Sequence, residues 1–539
     1  MAKKKIIYGP SARKKIQEGV NIVVDAVKTS YGPVGRTTVI GQPYGDPTVT
    51  NDGVTIAKAI ELDGIEQMGV KLVQQAASKT NDEAGDGTTL TTILTGAIIN
   101  EGIKVVESGA DPVKIKSGIT KAVQYAKEEL QKMAVPVKTK EDRKNVAYIS
   151  SRSEKVSEII ADILEEVGAD GVVTIQNGDT NAIEKEVAIG MRFDKGYKSP
   201  YFVTDAVKME ALIENPYILV TDRKVSAISD VVGIIEAVAK TGKKDLVIIA
   251  DDIDGEALTT FVLNKIRGTF NIYAVQAPSF GDNKKEILED IAVLIGAELI
   301  KSDLNAQLKD VTLEQLGSAQ KVIISKDNTT IIGGEGKKKE INARVEYLRS
   351  LISNATNDYD KEKLAERLAK IKGGVGVIKV GASSEVEMKE LKFVVEDALN
   401  ATKAAIAEGV VPGGASTLVR LSHKLSSLKV GSEDEKTGVS IIQKAFLAPF
   451  RAMAENSGMY DVAIAVREIE SSEKTGFDFR AMISVKDMFE KGIIDPKMVL
   501  REAIDNSSSV ASAVITTQVT IGDLSNEEKN IDLNNNDLE

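Results

Sequence analysis

Residues Asn81–Leu90 read NDEAGDGTTL, and TTILTGAIINEG follows directly. Gly85 and Gly87 bracket Asp86, and Thr88 and Thr89 come next. From Thr88 to about Glu107 the spacing predicts a helix, with Leu90, Ile93, Leu94, Ala97 and Ile98 on one side. Taken alone, Asp86 reads as the N-cap of that helix. Taken whole, the string reads as a phosphate cradle. Free amides and the helix dipole attract an anion, and the glycines admit it to the backbone. The Thr88 and Thr89 hydroxyls can donate to phosphate oxygens, and Asp86 can hold Mg²⁺ beside them. No G-x-x-x-x-G-K-[ST] string occurs, which argues against a P-loop ATPase.

The chain around this turn is organised in blocks. Ile16, Val20, Val23, Val24 and Val27 predict a helix over 11–30, and Met68–Lys79 predicts another. TTVIG and PTVTNDG read as short strands. Asp111 and Pro112 open a further helix as N-cap and first helical residue. A polar stretch around Pro136 suggests a boundary. Beyond it come alternating and short apolar runs: DGVVTIQNG, PYILVTD, KKDLVIIADD and NIYAVQAP. The helical segment GEALTTFVLNKIRG lies between the last two, which predicts an α/β layer. Residues 337–372 read as two charged helices joined near 357–360, and helices dominate again beyond Gly381. The last fifteen or so residues are polar and acidic and are expected to be disordered. The order is therefore helical, mixed, α/β, helical; composition leaves open whether the two helical ends form one domain.

Composition removes several chemistries. The 539 residues include 4% aromatics and no Trp, so the cores are aliphatic. There is no Cys and one His, His423, which excludes Cys-His and Ser-His-Asp nucleophiles and thiolate or multi-His zinc sites. Catalysis is left to carboxylates, hydroxyls, Lys, Arg, backbone amides or a bound metal. A net charge of −11 argues against broad nucleic-acid binding. The N-terminal residues lack a signal-peptide core and no run approaches ~18 apolar residues. The expectation is a soluble, non-exported protein that binds neither nucleic acid nor membrane.

Three more strings bear on the site. SYGPVGR, Ser30–Arg36, is a Gly/Pro turn after a helix, and TNDGVT, Thr50–Thr55, sets Asp52 in a tight turn. Singly, each is ordinary turn chemistry. VVEDALNA, Val394–Ala401, places Asp397 within an amphipathic helix, where a solvated face is the plain reading.

Together, GPVGR, NDGVTIAKAIEL, NDEAGDGTT and VEDALNATKAAIAEGVVPGG closely resemble the group I chaperonins, the bacterial GroEL type. The likeness continues through FDKGYKSPYF, GEALTTFVLNKIRG, APSFGD and GIIDP, and covers about Ala2 to Asp523. It implies a multidomain α and α/β chaperonin fold. A helical equatorial ATP-binding domain would span 1–132 and 408–523. An intermediate hinge domain would span 133–188 and 375–407, and an inserted α/β apical domain 189–374, with 524–539 as tail.

The resemblance also implies roles. Ser30, Tyr31, Gly32 and Pro33 would contact ATP through their turn. Asp86 would bind Mg²⁺, with Gly87, Thr88 and Thr89 around the phosphates; K⁺ is a further candidate cofactor. Asp397 would orient or activate the attacking water on closure of the intermediate domain, with Asp52 assisting. Gly414 would line the adenosine side and Asp495 the ribose. Tyr197, Tyr201, Phe202, Val232, Ile235, Leu258, Val262 and Leu263 would bind non-native polypeptides and then the co-chaperonin lid of the GroES type. From spacing alone, Leu258, Val262 and Leu263 read as a core stripe. Seven-membered rings, usually stacked as a 14-mer in the cytoplasm, complete the implied picture of ATP-dependent encapsulation.

Several positions depart from the family pattern. Asn51 stands where Lys is usual, which removes a positive charge near the phosphates. Leu90 replaces a third Thr. Asp478 stands where Asn is common, with an extra residue after it, which leaves the contacts to the base open. The tail is rich in Asn and Asp instead of Gly-Met repeats. The competing readings are a group II chaperonin, disfavoured by GYKSPYF and by the lack of an apical extension; a passive holdase with a decayed ATP site, disfavoured by the retention of Asp52, Asp86 and Asp397; and an unrelated ATP-dependent enzyme sharing only the GDGTT turn.

Overall fold

The computed structural model describes residues 4–41, 47–168, 171–178, 180–206, 208–279, 281–302, 307–355, 357–459 and 461–523. The tail expected to be disordered lies outside them. The chain divides into two compact units, one formed by residues 1–161 and 381–539, the other by 162–380. The two helical ends therefore belong to one unit, and the α/β segment is inserted between them.

The discontinuous unit is a helical assembly on an aliphatic core. Its longest elements are Gly9–Val27, Glu66–Ala84, Thr88–Glu107, Pro112–Met133, Glu385–Glu408 and Lys497–Ile515. The apolar stripe read from the sequence is the buried one: Ile16, Val20, Val23 and Val27 pack with Leu94, Ile98, Ile119 and Leu500. Asp111 caps its helix as expected, accepting from the amides of Val113 and Lys114. The chain ends are tied by an antiparallel pair, Lys4–Tyr8 with Val519–Asp523. A second pair joins Thr38–Ile40 to Thr48–Thr50. Among the described residues no helix is long and apolar enough to cross a membrane.

The inserted unit is built on a seven-stranded mixed sheet. Asp245–Ala250 runs parallel to both Asn271–Gln276 and Tyr217–Val220, and the helix Gly255–Arg267 makes the crossover. This is the strand–helix–strand unit the sequence predicts. Asp245–Ala250 and the end strand Asn271–Gln276 are both buried along nearly their whole length, as near-continuous Val and Ile runs require. A smaller sheet orders Val172–Asn177, Val375–Val380 and Ile183–Ala188. The charged stretch forms two helices, Lys338–Asn354 and Asp358–Gly373. Their charge is not simply solvated. Arg344 and Arg367 both reach Asp290, which is 1% exposed, at 2.7 Å. Both also pair with Glu286, so a buried ionic knot fastens the helical hairpin to Gly281–Ile295.

Candidate nucleotide site

The helix Thr88–Glu107 begins unusually. Its N-cap is Gly87, at φ +92°, and no side chain caps its amides. The expectation that Asp86 caps this helix is therefore corrected. The left-handed Gly87 turns the chain so that, among the described residues, the Asp86 carboxylate accepts only from the Gly87 amide. Gly85 is also left-handed, at φ +70°, and packs against Asn400 of the helix that carries Asp397. A 20-residue helix thus presents free amides and the positive end of its dipole at Thr88 and Thr89.

These amides border a cleft of about 670 Å³ within the discontinuous unit. Ser30, Tyr31, Gly32, Pro33, Asn51, Asp52, Asp86, Gly87, Thr88, Thr89, Leu90, Asp397, Gly414, Asp478 and Asp495 all line it. Every residue assigned to the nucleotide site from the sequence is therefore brought to one cavity, from segments hundreds of residues apart. The size suits a small-molecule ligand.

The individual roles differ from a flat list. Asp52 is the true N-cap: its carboxylate accepts from the Val54 amide at 3.1 Å, the Thr55 amide at 2.9 Å and the Thr55 hydroxyl at 2.6 Å. It is held rigidly at the cleft wall by the helix Gly53–Lys58. Leu90 is 5% exposed and packs into the helical core, so its side chain offers the cleft no polar group. Asp478 accepts from the amides of Arg480 and Ala481 at 2.9 and 3.0 Å, which closes the turn between Gly476–Asp478 and Ile483–Val485.

The electrostatics are dominated by negative charge. Burial, partly offset by the Gly87 amide, pushes the Asp86 carboxyl up to about 6, and the charge of Asp52 adds to the rise. Burial and then Asp86 push Asp495 up to about 7. Asp397 retains some solvent-accessible surface, yet burial and the charges of Asp86, Asp52 and Glu396 raise it well above the carboxylate range. The Tyr31 phenol is raised too, by burial and by Asp495 and Asp86. Converging carboxylates, none of them held by an ion pair to a lysine among the described residues, suit a divalent cation shared with phosphate oxygens, as Mg²⁺ prefers. Among the described residues no group of three or more His, Cys, Asp or Glu could hold a metal alone.

One wall was not anticipated. Asn145, Tyr148, Ile149 and Arg152, on and after the helix Lys140–Ser151, line the cleft, as do Phe479 and Ile493. No glycine pattern marks this helix. Its only local signal is the capping box of Thr139 and Asp142, which reports a helix start and not a site.

In the inserted unit the proposed apolar surface is uneven. Tyr201, Val232 and Leu263 are 66%, 42% and 46% exposed. Tyr197, Ile235, Leu258 and Val262 are half-buried against the core. Phe202 is fully buried and its ring tilts against Tyr273 at 6.0 Å, so it is a core residue and offers no binding surface. The stripe on Gly255–Arg267 is likewise split: Ala257 and Phe261 form its core side, while Leu263 and Ile266 face outward. Ile266, 62% exposed, was missed.

The comparison with known families agrees with this architecture. Residues 23–524 match the model of the TCP-1/cpn60 chaperonin family, whose members are folding chaperones, generally ATPases, that bind unfolded chains and form oligomeric rings. With nearly its whole length matched and its mixed helical and α/β units in place, this chain belongs to the TCP-1/cpn60 chaperonin family.

Proposed function

We propose that the protein is an ATP-dependent chaperonin of the group I type. It binds non-native polypeptides on an apolar surface of the inserted unit and encapsulates them beneath a co-chaperonin lid. Paired seven-membered rings in a cytoplasm are the matching assembly. The observation that carries the ATPase reading is the uncapped start of Thr88–Glu107, opening onto a cleft lined by Asp52, Asp86, Asp397 and Asp495.

The chain's own groups suffice to order the reaction. The amides of Thr88 and Thr89 and their hydroxyls hold phosphate oxygens at the positive end of the helix. Asp86, with the phosphates, would hold Mg²⁺, which supplies charge neutralisation in phosphoryl transfer. Asp495 and Gly414 flank the sugar and base side. Asp397 orients the attacking water and accepts its proton. Its raised affinity for a proton suits that task at neutral pH better than an ordinary exposed aspartate would. Asp52, fixed by its cap bonds, keeps a second negative charge facing Asp397 and Asp86. Tyr201, Val232 and Leu263, with Ile266, supply apolar contacts that tolerate varied clients.

The test is phosphate release from ATP and Mg²⁺ by wild type and Asp397→Ala, with nucleotide binding measured alongside. Slow turnover by wild type, and binding with turnover reduced at least ~100-fold in the variant, is the expected result. Absence of turnover in an assembled wild type would instead make the protein a passive holdase.

A further inference from the structure

The cleft carries five aspartates, Asp52, Asp86, Asp397, Asp478 and Asp495, and among its described lining residues three cations, Arg152, Arg480 and Lys491. The segments that would contact the nucleotide, residues 30–33, 51–53 and 86–90, contain no lysine or arginine. Arg152 reaches one of them, since its Nη2 donates to the Gly32 carbonyl at 2.6 Å. It does so from a strained position. Arg152 ends the helix Lys140–Ser151 in the left-handed region, at φ 55°, with its amide on the Tyr148 carbonyl. That conformation is strained for a non-glycine residue and is concentrated at functional sites.

Arg480 stands near it, its Nη1 donating to the Tyr148 hydroxyl at 3.3 Å. Among the described residues neither guanidinium pairs with a carboxylate. Arg152 keeps an exposed side, yet local desolvation and then the charge of Arg480 lower it below the usual guanidinium range. Two like charges are thus held together on neutral oxygens at one cleft. An anion with several oxygens would relieve both, and a guanidinium fork matches a phosphate group.

We propose that Arg152, with Arg480 beside it, contacts the polyphosphate chain of the nucleotide and supplies the positive charge that the 30–33, 51–53 and 86–90 segments lack. The assignment rests on the nucleotide-site reading above. A solvated arginine that merely props the Gly32 turn is the plain alternative, and the two differ in what they discriminate. A charge contact serves ATP and not adenosine; a prop serves both.

The experiment is titration calorimetry of the assembled protein with Mg-ATP and with adenosine, at ~50 and ~300 mM salt. The variants are Arg152→Gln, which keeps a donor for Gly32 without the charge, and Arg152→Lys, with Arg480→Gln as companion. Arg152→Gln is expected to weaken Mg-ATP binding about tenfold, leave adenosine within twofold of wild type, and flatten the salt dependence; Arg152→Lys recovers most of the loss. Equal ATP affinity in Arg152→Gln and wild type overturns the assignment, as does a parallel loss of ATP and adenosine. If wild type binds neither ligand, the nucleotide-site reading falls, and this assignment with it.

Discussion

Replacing Asp495 by Asn should stabilise the protein in the absence of nucleotide while weakening its hold on ATP. Asp495 lies in the strand Ile494–Pro496, where burial and Asp86 raise its carboxyl to about 7 from an ordinary 3.8. A group raised in this way binds its proton more tightly folded than unfolded. The ionisation penalty is therefore nearly absent at pH 4, grows through the range up to 7, and is complete above it. Near pH 8 it amounts to roughly 4 kcal/mol, and at pH 5 to under ~2 kcal/mol. Local relaxation and water entry trim the first figure to about 2–4 kcal/mol. Asparagine keeps the shape and loses the charge. At ~2 °C per kcal/mol for a unit of this size, the melting temperature at pH 8 should rise by about 4–8 °C, with less than half that gain at pH 5. The assay is thermal melting of both proteins, without nucleotide or metal, across pH 5 to 8. A variant no more stable than wild type at pH 8, or a gain that does not shrink toward pH 5, would refute the claim that Asp495 is held against its own desolvation.

Two paired comparisons follow from packing. Gly87→Ala places a β-carbon 2.6 Å from Val499 Cγ1 and 3.3 Å from Thr80 Cγ2 at φ +92°. Backbone strain and overpacking together should cost about 2–5 kcal/mol and abolish nucleotide binding. Gly109→Ala, left-handed at φ +100° but with nothing within 4 Å, should cost only the strain, ~1–2 kcal/mol; equal losses in denaturant titrations would contradict the contact argument. In the inserted unit, Phe202→Ala should destabilise by ~3–5 kcal/mol. Leu263→Ser should stay within ~0.5 kcal/mol of wild type yet reduce capture of an unfolded model protein, read by light scattering. The reverse pattern would mean that Phe202 is part of the surface after all.

The sequence was legible where local rules decide. The helix 88–107 follows from its apolar spacing, Asp111 from the proline after it, and the 245–276 strand–helix–strand unit from Val and Ile runs around a helical segment. It was not legible where one dihedral or a distant neighbour decides. Asp86 and Asp52 both sit in Asp-Gly turns, but only Asp52 caps a helix. The left-handed φ of Gly87 moves the helix start past Asp86 and frees its carboxylate, and no side-chain pattern reports that angle. Phe202 looks like its exposed neighbour Tyr201 until Tyr273, far along the chain, is packed beside it. The Tyr148–Arg152 wall carries no glycine turn in its sequence and enters the site only through tertiary placement.

The same contrast explains why the cleft is costly to the fold. Structural ion pairs in this chain are matched: Asp290 has two arginines, and Glu408 has Lys497 and Arg501. In the cleft the matching fails on both sides. Asp86, Asp397 and Asp495 raise one another or are raised by burial, while Arg152 and Arg480 repel. Stability alone would have been served by pairing these charges with each other, as elsewhere in the molecule. Keeping them apart leaves carboxylates for a cation and guanidiniums for a polyanion, which is what the proposed metal–nucleotide ligand would require. On that proposal, binding would replace apo-state repulsion with attraction, and so would couple nucleotide occupancy to the packing of the helix that carries Asp397.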